Sequence, residues 1–448
     1  VNRSPPPAVL QQLEAAKSEH RRGRLREARR RYKRILKQYP ELTPALHFLG
    51  VLEHMDGNHE AGLALVRRAH ARDPDDCDIR KNLSNILNDM NRCEEAEPLC
   101  RALVEQRPGD PGNHSNHSVA LRKLGRFDEA IAAGRQAVLL APDHAAGWHA
   151  LANALSSAGA LKEAVEAYEK VIAIEPAFSP AHNSLCRTLL QLEQAGVLSR
   201  FRLSRTRQAY RRWVQRVPDH PTAAFMLEVL EGGRMPERVP DAAVKASFDA
   251  YAADFDKHIR SLDYRGPERI AEVLARWLPA ASADLDVLDG GCGTGLCSGM
   301  LRPYARTLSG VDLSPAMLKR AQATGRYDAL TEAELGSFLD AHPKSFDVCA
   351  MADVLNYFGD LNAILSSAAR ALKPGGLLAF SVERSRHSGT RLHPTGRYSH
   401  HPGHVQSALT AAGLQGLELT EAMIRSEGNA SVQGLFVCAR SPAEMGPG

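Results

Sequence analysis

Four residues at alternating positions, Asp289, Gly291, Gly293 and Gly295, carry the clearest chemistry in the chain. They follow a short apolar run (Leu285, Val287, Leu288) and precede a helical pattern, so they read as strand, glycine-rich turn and helix. Such a turn brings backbone N–H groups against a polar ligand at a helix N-terminus, where any Cβ would take the ligand's space. A nucleotide-like cofactor is the expectation. The spacing argues against a dinucleotide, because Leu296 stands where Gly-x-Gly-x-x-Gly requires its last small residue. An acidic residue should close the next strand about 20 residues on, to accept ribose hydroxyls, and Asp312 after Leu308-Ser309-Gly310-Val311 does so. Metal chemistry is not expected. The eight cysteines are scattered without Cys-x-x-Cys pairs, and the His-His-Pro-Gly-His run at 400–404 has no zinc spacing.

The glycine motif and Asp312 together resemble the first two motifs of class I S-adenosylmethionine-dependent methyltransferases. The resemblance implies S-adenosylmethionine as cofactor, with Asp289, the three glycines and Asp312 around it and Leu313 and Ser314 on its adenine side. Ser314 also reads as an N-cap with Pro315 at the first helical position. The adenine-contacting acid of the family follows strand three, and Glu334 is preferred to Asp328. The stretch Phe248-Asp249-Ala250-Tyr251 through Phe255-Asp256 resembles the lid helix of small-molecule methyltransferases, in which the Tyr251 hydroxyl would help close the cofactor site. Phe248, Tyr251, Phe255 and Ile259 also share one helical face, so core packing stands beside that reading. Phe346–Met351 reads as a buried parallel strand, which places Asp353, Asn356 and Tyr357 at the ligand crevice beyond its end. Asp353 is assigned to the cofactor and Asn356 to the acceptor.

Past strand five, residues 384–404 hold five histidines and four arginines with little periodicity. Within it, Gly396-Arg397-Tyr398-Ser399-His400 resembles a segment of methyltransferases fused to tetratricopeptide repeats. The loop is expected over the methyl group's exit path, with Arg397 and Tyr398 binding the acceptor and His400 or Tyr357 as general base.

These parts need elements to hold them. Prolines at 40, 74, 108, 142 and 176 recur every 34 residues, and the helix–helix contact position preceding each holds Ala28, Gly62, Ala96, Ala130 and Ala164. That period and pattern resemble tetratricopeptide repeats over residues 9–178. Such arrays bind extended peptides on their first helices. Asn82 and Asn116 share one groove position, Asn85 and Asn153 the next turn. Lys81, Asn85 and Asn116 match three members of the family's five-residue carboxylate clamp; Ala146 and Ala150 replace the other two.

The expected organisation is a flexible stretch 1–8, an α-helical solenoid over 9–218 with a divergent cap, a proline-rich linker over 219–245, an α/β Rossmann-like methyltransferase over 246–441, and a tail 442–448. The sheet is expected to be mixed and seven-stranded, in the order 3-2-1-4-5-7-6. No apolar run is long enough to span a membrane and no leader pattern is visible, so a cytoplasmic location is expected. Residues 1–240 carry 36 Lys and Arg against 29 Asp and Glu, the remainder 20 against 23, so the catalytic half is not basic. The excess lies in runs such as Arg29-Arg30-Arg31, read as a solvated face, and nucleic acid is not an expected partner. The leading function is methyl transfer to a peptide or protein presented by the array. A small acidic metabolite, with the array used for recruitment, is the alternative, and a non-enzymatic scaffold with a relic fold is the third.

Overall fold

The computed structural model describes residues 6–195, 204–232, 236–252, 255–278, 281–427 and 430–443. The chain forms two compact units, Val1–Ala209 and Tyr210–Gly448.

The first unit stacks five antiparallel helix pairs: α1 (Pro7–Arg21) and α2 (Leu25–Gln38), α3 (Thr43–Met55) and α4 (His59–Arg72), α5 (Cys77–Asp89) and α6 (Cys93–Gln106), α7 (Pro111–Lys123) and α8 (Phe127–Leu140), α9 (Ala145–Ser157) and α10 (Leu161–Ile174). Each second helix stops two residues before its proline, as expected where the residue ahead of a proline is pushed out of helical geometry. Ala28, Ala96, Ala130 and Ala164 are fully buried. At the equivalent Gly62 a Cβ would lie 2.6 Å from the Gly50 carbonyl, and one on Gly50 would lie 2.5 Å from Val66 Cγ2, so α3 and α4 touch through bare backbone. A second device repeats every 34 residues. Arg80, His114, Trp148 and His182 each reach the carbonyl of the preceding repeat proline, Pro74, Pro108, Pro142 and Pro176, satisfying an acceptor left open at a helix end. The helices α11 (Ser179–Ala195) and α12 (Ser204–Arg216) follow, and the division between units falls inside α12.

The stretch read as a linker over 219–245 is structured in its described residues, 219–232 and 236–245. It carries α13 (Pro221–Glu231) and the start of α14 (Asp241–Tyr251). Between them Val239 N–H donates to the Tyr357 carbonyl at 2.8 Å, and the Glu237 carbonyl accepts from Gly359 and Asp360 N–H at 2.6 and 2.9 Å. The flanking prolines stiffen an extended strap whose intervening residues keep their hydrogen-bonding groups.

The catalytic sheet contains β1 (Leu285–Gly290), β2 (Ala305–Asp312), β3 (Ala329–Glu332), β4 (Phe346–Met351), β5 (Leu372–Arg384), β6 (Thr390–Leu392), β7 (Tyr398–His400), β8 (Gln415–Glu427) and β9 (Ala430–Arg440). Strands β3-β2-β1-β4-β5 are parallel neighbours, β9 runs antiparallel beside β5, and β8 pairs outside β9. With β8 and β9 as its sixth and seventh strands, this is the 3-2-1-4-5-7-6 order. The central parallel strands β1, β4 and β5 are buried on both faces, so neighbouring residues serve opposite cores. Leu288, Cys349 and Leu378 join the core under α19 (Leu335–Asp340), α20 (Asn362–Ala371) and α21 (Pro402–Ala411). Val287, Val348 and Leu377 join the core under α16 (Gly266–Ala275) and α17 (Ser298–Leu301). Two further helices, α15 (Phe255–Ser261) and α18 (Pro315–Ala323), flank the cofactor end. The aperiodic loop beyond strand five folds as the β6–β7 hairpin, with β7 parallel to the last residues of β5 through Glu383↔Ser399 and Arg384↔His400. Among the described residues no helix is long and apolar enough to cross a membrane.

Candidate functional site

The three glycines after β1 all adopt left-handed backbone, with φ of 67°, 55° and 88° at Gly291, Gly293 and Gly295. A Cβ on Gly291 would stand 2.4 Å from Val354 Cγ2, whereas one on Gly293 would meet nothing within 4 Å. The space beside Gly293 is open, as a cradle for a ligand requires. The turn is pinned to β2: Gly291 and Cys292 N–H donate to the Val311 carbonyl at 2.8 and 3.0 Å. Asp312 accepts from Gly293 N–H at 2.9 Å and Ser314 N–H at 2.8 Å. Ser314 caps α18 by accepting from Met317 N–H at 3.1 Å, and half-buried Leu313 lies between it and Asp312. Asp289, the glycines, Asp312, Leu313 and Ser314 thus converge at the C-terminal ends of β1 and β2. The residues present fit a nucleoside-bearing cofactor.

Two carboxylates not singled out from the sequence hold the neighbouring helices against this turn. Asp249 on α14 accepts from the Ser314 hydroxyl at 2.6 Å. Asp256 on α15 accepts from the Thr294 hydroxyl at 2.5 Å and pairs with Arg320 at 2.9 Å. The signal was present as two Phe-Asp pairs seven residues apart, Phe248-Asp249 and Phe255-Asp256. Tyr251 ends α14, and its side chain falls outside the described residues.

Asp289 is 1% exposed and accepts a 2.6 Å hydrogen bond from the Tyr327 hydroxyl. Burial pushes its carboxyl up to about 7, the Tyr327 bond opposing and the Asp312 charge adding. A carboxyl raised in the folded state stabilises the fold below its unfolded value of about 3.9, and that contribution is lost as pH rises through about 7. Asp289→Asn keeps the acceptor for Tyr327 without the charge. Its unfolding free energy should match wild type near pH 4 and exceed it by on the order of 4 kcal/mol at pH 8. Urea melts across that range check this, and a pH-independent difference contradicts it.

On the acceptor side the structure redistributes the expected roles. Asp353, two residues beyond β4, has φ of 60°, unusual for a non-glycine residue, and its N–H donates to the Ser381 hydroxyl at 2.9 Å. Burial raises its carboxyl while Arg425 and Arg397 oppose. Asn356 is fully buried: its amide donates to Asp353 and its carbonyl accepts from Glu383 N–H at 2.7 Å, so it positions the carboxylate instead of meeting an acceptor. Burial pushes Tyr357 up to about 12, which leaves it protonated near neutrality and unsuited as a base, and its ring packs edge-on to Phe248. Arg397, 23% exposed at its side chain, pairs with Glu383 at 3.0 Å. Tyr398 is wholly buried, its hydroxyl donating to the Pro236 carbonyl at 2.7 Å, so it anchors the strap. His400 is also wholly buried, stacked on His404, and burial with His404 lowers it to about 4. A buried, weakly basic imidazole does not fit the general base expected there. Arg425, unremarked in the sequence, is 2% exposed and bridges Asp353 at 3.4 Å and Glu383. Glu334 caps α19 through Gly336 and Ser337 N–H at 2.9 and 2.7 Å and pairs with Arg238 at 2.9 Å. No group of metal-binding side chains occurs among the described residues.

In the array, Lys81 pairs with Asp110 at 3.3 Å and Asn82 bonds His47 at 2.7 Å. Asn153 accepts from the Tyr168 hydroxyl at 2.7 Å, a bond inside its own repeat that removes it from the expected groove set. Asn85 and Asn116 are half-exposed on α5 and α7.

Comparison with known proteins agrees with this geometry. Residues 288–380 match the family model of a methyltransferase domain, and residues 13–76 and 121–189 match tetratricopeptide repeat models. The chain is 30% identical over 196 residues to a ubiquinone biosynthesis O-methyltransferase of Xanthomonas oryzae, covering 80% of that protein and 39% of this chain. It is 35% identical over 164 residues to human methyltransferase-like protein 27, covering 66% of that protein and 34% of this chain. Two other relatives, ubiquinone biosynthesis O-methyltransferases of Idiomarina loihiensis and Thiobacillus denitrificans, are covered over 41% and 63% of their length. Among solved structures, a Burkholderia thailandensis 1,6-didemethyltoxoflavin-N1-methyltransferase with bound S-adenosylhomocysteine aligns at 21% identity and a TM-score of 0.37, over 44% of this chain and 87% of that one. MamA of Desulfovibrio magneticus aligns at 18% identity and 0.35, over 39% and 99%. The glycine turn and sheet order define a class I methyltransferase fold. The chain belongs to the S-adenosylmethionine-dependent methyltransferases and carries N-terminal tetratricopeptide repeats. S-adenosylmethionine is the cofactor that membership of this family assigns to it.

Proposed function

We propose that the enzyme methylates a peptide or protein presented or recruited by its repeat array. The observation that carries this reading is the pair Asn85 and Asn116. Both are half-exposed on first helices of successive repeats, and among the described residues neither side-chain amide has a hydrogen-bond partner within the chain. Such amides can donate to and accept from an extended peptide backbone. Half-exposed Lys81 adds a cation beside them. The cofactor supplies the activated methyl group, so the chain's own task is to bind, align and exclude water. The eight free cysteines support a reducing, cytoplasmic location. A small acidic acceptor is the second reading. It is favoured by the half-buried Arg397 guanidinium beside the crevice and by relatives named for ubiquinone biosynthesis.

The test compares the full chain with one beginning at Ser204, which keeps α12 whole and the strap in place. Both are incubated with cell lysate and isotopically labelled methyl donor, before and after protease treatment. Label should enter protease-sensitive material and fall roughly tenfold or more on truncation, the equivalent of about 1.4 kcal/mol, while S-adenosylhomocysteine binding stays near wild type. Label entering a protease-resistant small molecule at an unchanged rate would refute presentation and favour the acid.

A further inference from the structure

The strap between α13 and α14 does more than join two helices. Its backbone pairs with the acceptor-side turn through Val239 and Glu237, and Arg238 lies opposite Phe358 in an antiparallel bridge. The Arg238 guanidinium sits 5.3 Å over the Phe358 ring. Its two ends then point to different partners: one pairs with Asp241 at the start of α14, the other with Glu334 at 2.9 Å. The strap is locked from behind, where Tyr398 donates to the Pro236 carbonyl and a Cβ on Gly359 would lie 3.0 Å from that same oxygen.

We propose that Arg238 is a positioning residue for the cofactor, fixing Glu334 for the adenine amine; this rests on the assignment of Glu334 to the adenine side of the site. A carboxylate at a helix start needs a second restraint to present one oxygen in a set direction. Backbone N–H groups of Gly336 and Ser337 hold both Glu334 oxygens from the helix side, and Arg238 approaches Oε1 from the strap. Burial pushes the Glu334 carboxyl up, but those N–H groups and Arg238 outweigh it and hold it below the ordinary range, so it stays ionised as an acceptor. A planar fork stacked on a ring and tied at both ends loses little freedom on holding that geometry, which lysine could copy only in charge. The same residue therefore connects the adenine end of the crevice with the acceptor-side turn at Tyr357 and Phe358.

The experiment is calorimetry on the full chain with S-adenosylhomocysteine and with S-inosylhomocysteine, in which oxygen replaces the adenine amine. Arg238→Ala should weaken S-adenosylhomocysteine roughly tenfold. Glu334→Gln should do the same, the double variant should be no weaker than either single one, and Arg238→Lys should recover part of the loss. With S-inosylhomocysteine, Arg238→Ala should bind as wild type, a result that general damage to the fold would not give. If Glu334→Gln weakens binding and Arg238→Ala does not, the positioning role is wrong and the Glu334 assignment stands. If Glu334→Gln has no effect, the assignment itself fails and the proposal with it. An equal loss for both ligands in Arg238→Ala, or failure of the alanine variant to fold while Arg238→Lys binds both ligands as wild type, also overturns it.

Discussion

Replacing Arg425 by alanine is expected to lower the stability of the catalytic unit by about 3–5 kcal/mol at neutral pH, the usual cost of removing one partner from a buried ion cluster. Arg425 is 2% exposed and bridges the carboxylates of Asp353 and Glu383, with Arg397 pairing to the same Glu383 oxygen. Without it, burial still raises the Asp353 carboxyl, with Arg397 and the Asn356 amide left to oppose. Carboxyls raised in the folded state stabilise below their unfolded values and lose that contribution as pH rises. The defect should therefore be largest at pH 8 and shrink towards pH 4, where protonation removes the unpaired charges. Denaturant unfolding of both proteins over that range measures it. A loss under about 1 kcal/mol at pH 8 would mean that the cluster is solvated like a surface pair.

The second large effect is on cofactor affinity. Asp312→Ala removes the acceptor for Gly293 and Ser314 N–H, so the glycine turn loses one of its ties to the end of β2 as well as the carboxylate expected to take the ribose hydroxyls. Hydrogen bonds to a charged group contribute about 1.5–3 kcal/mol each, so losing two weakens binding by roughly a hundredfold or more. Asp312→Asn, which retains one acceptor oxygen, should fall between. Titration calorimetry with S-adenosylhomocysteine reads both, and a change of less than about fivefold for alanine would place the ribose elsewhere.

The two architectures were legible for a physical reason: each rests on a period. Prolines and small residues 34 apart mark helix ends and close contacts, and apolar runs around Val287 and Val348 mark strands buried on both faces. The glycine turn and Asp312 are short-range and were legible as well. What was hidden depends on pairing between distant segments. Asp249 and Asp256 meet Ser314 and Thr294 only once the sheet forms. Arg425 follows an irregularity in the pairing of β8 with β9 between Met423 and Arg425, so alternation along the strand does not reveal which way it faces. The histidine-rich segment was misleading because its polar composition suggested an exposed loop, whereas a short hairpin buries Tyr398, Ser399 and His400 together. Prolines near 236–240 suggested a linker because they mark the edges of extended chain, whether or not that chain is packed.

The bare contact between Gly50 and Gly62 has a consequence for how such an array can change. The positions equivalent to Gly50 in the next three repeats hold Ser84, Ser118 and Ala152, and those equivalent to Gly62 hold alanine. Gly50, Gly62 and Val66 all lie in the second repeat, so recombination that copied a whole neighbour into its place would replace all three at once, whereas a crossover between positions 50 and 62 would bring a Cβ to 2.5 Å from Val66 Cγ2 or to 2.6 Å from the Gly50 carbonyl oxygen. The second module is thus exchangeable as a whole but not in halves. Whole-repeat duplications leave this contact intact, and a chimera spliced within the second module must carry Gly50 and Gly62 as a pair.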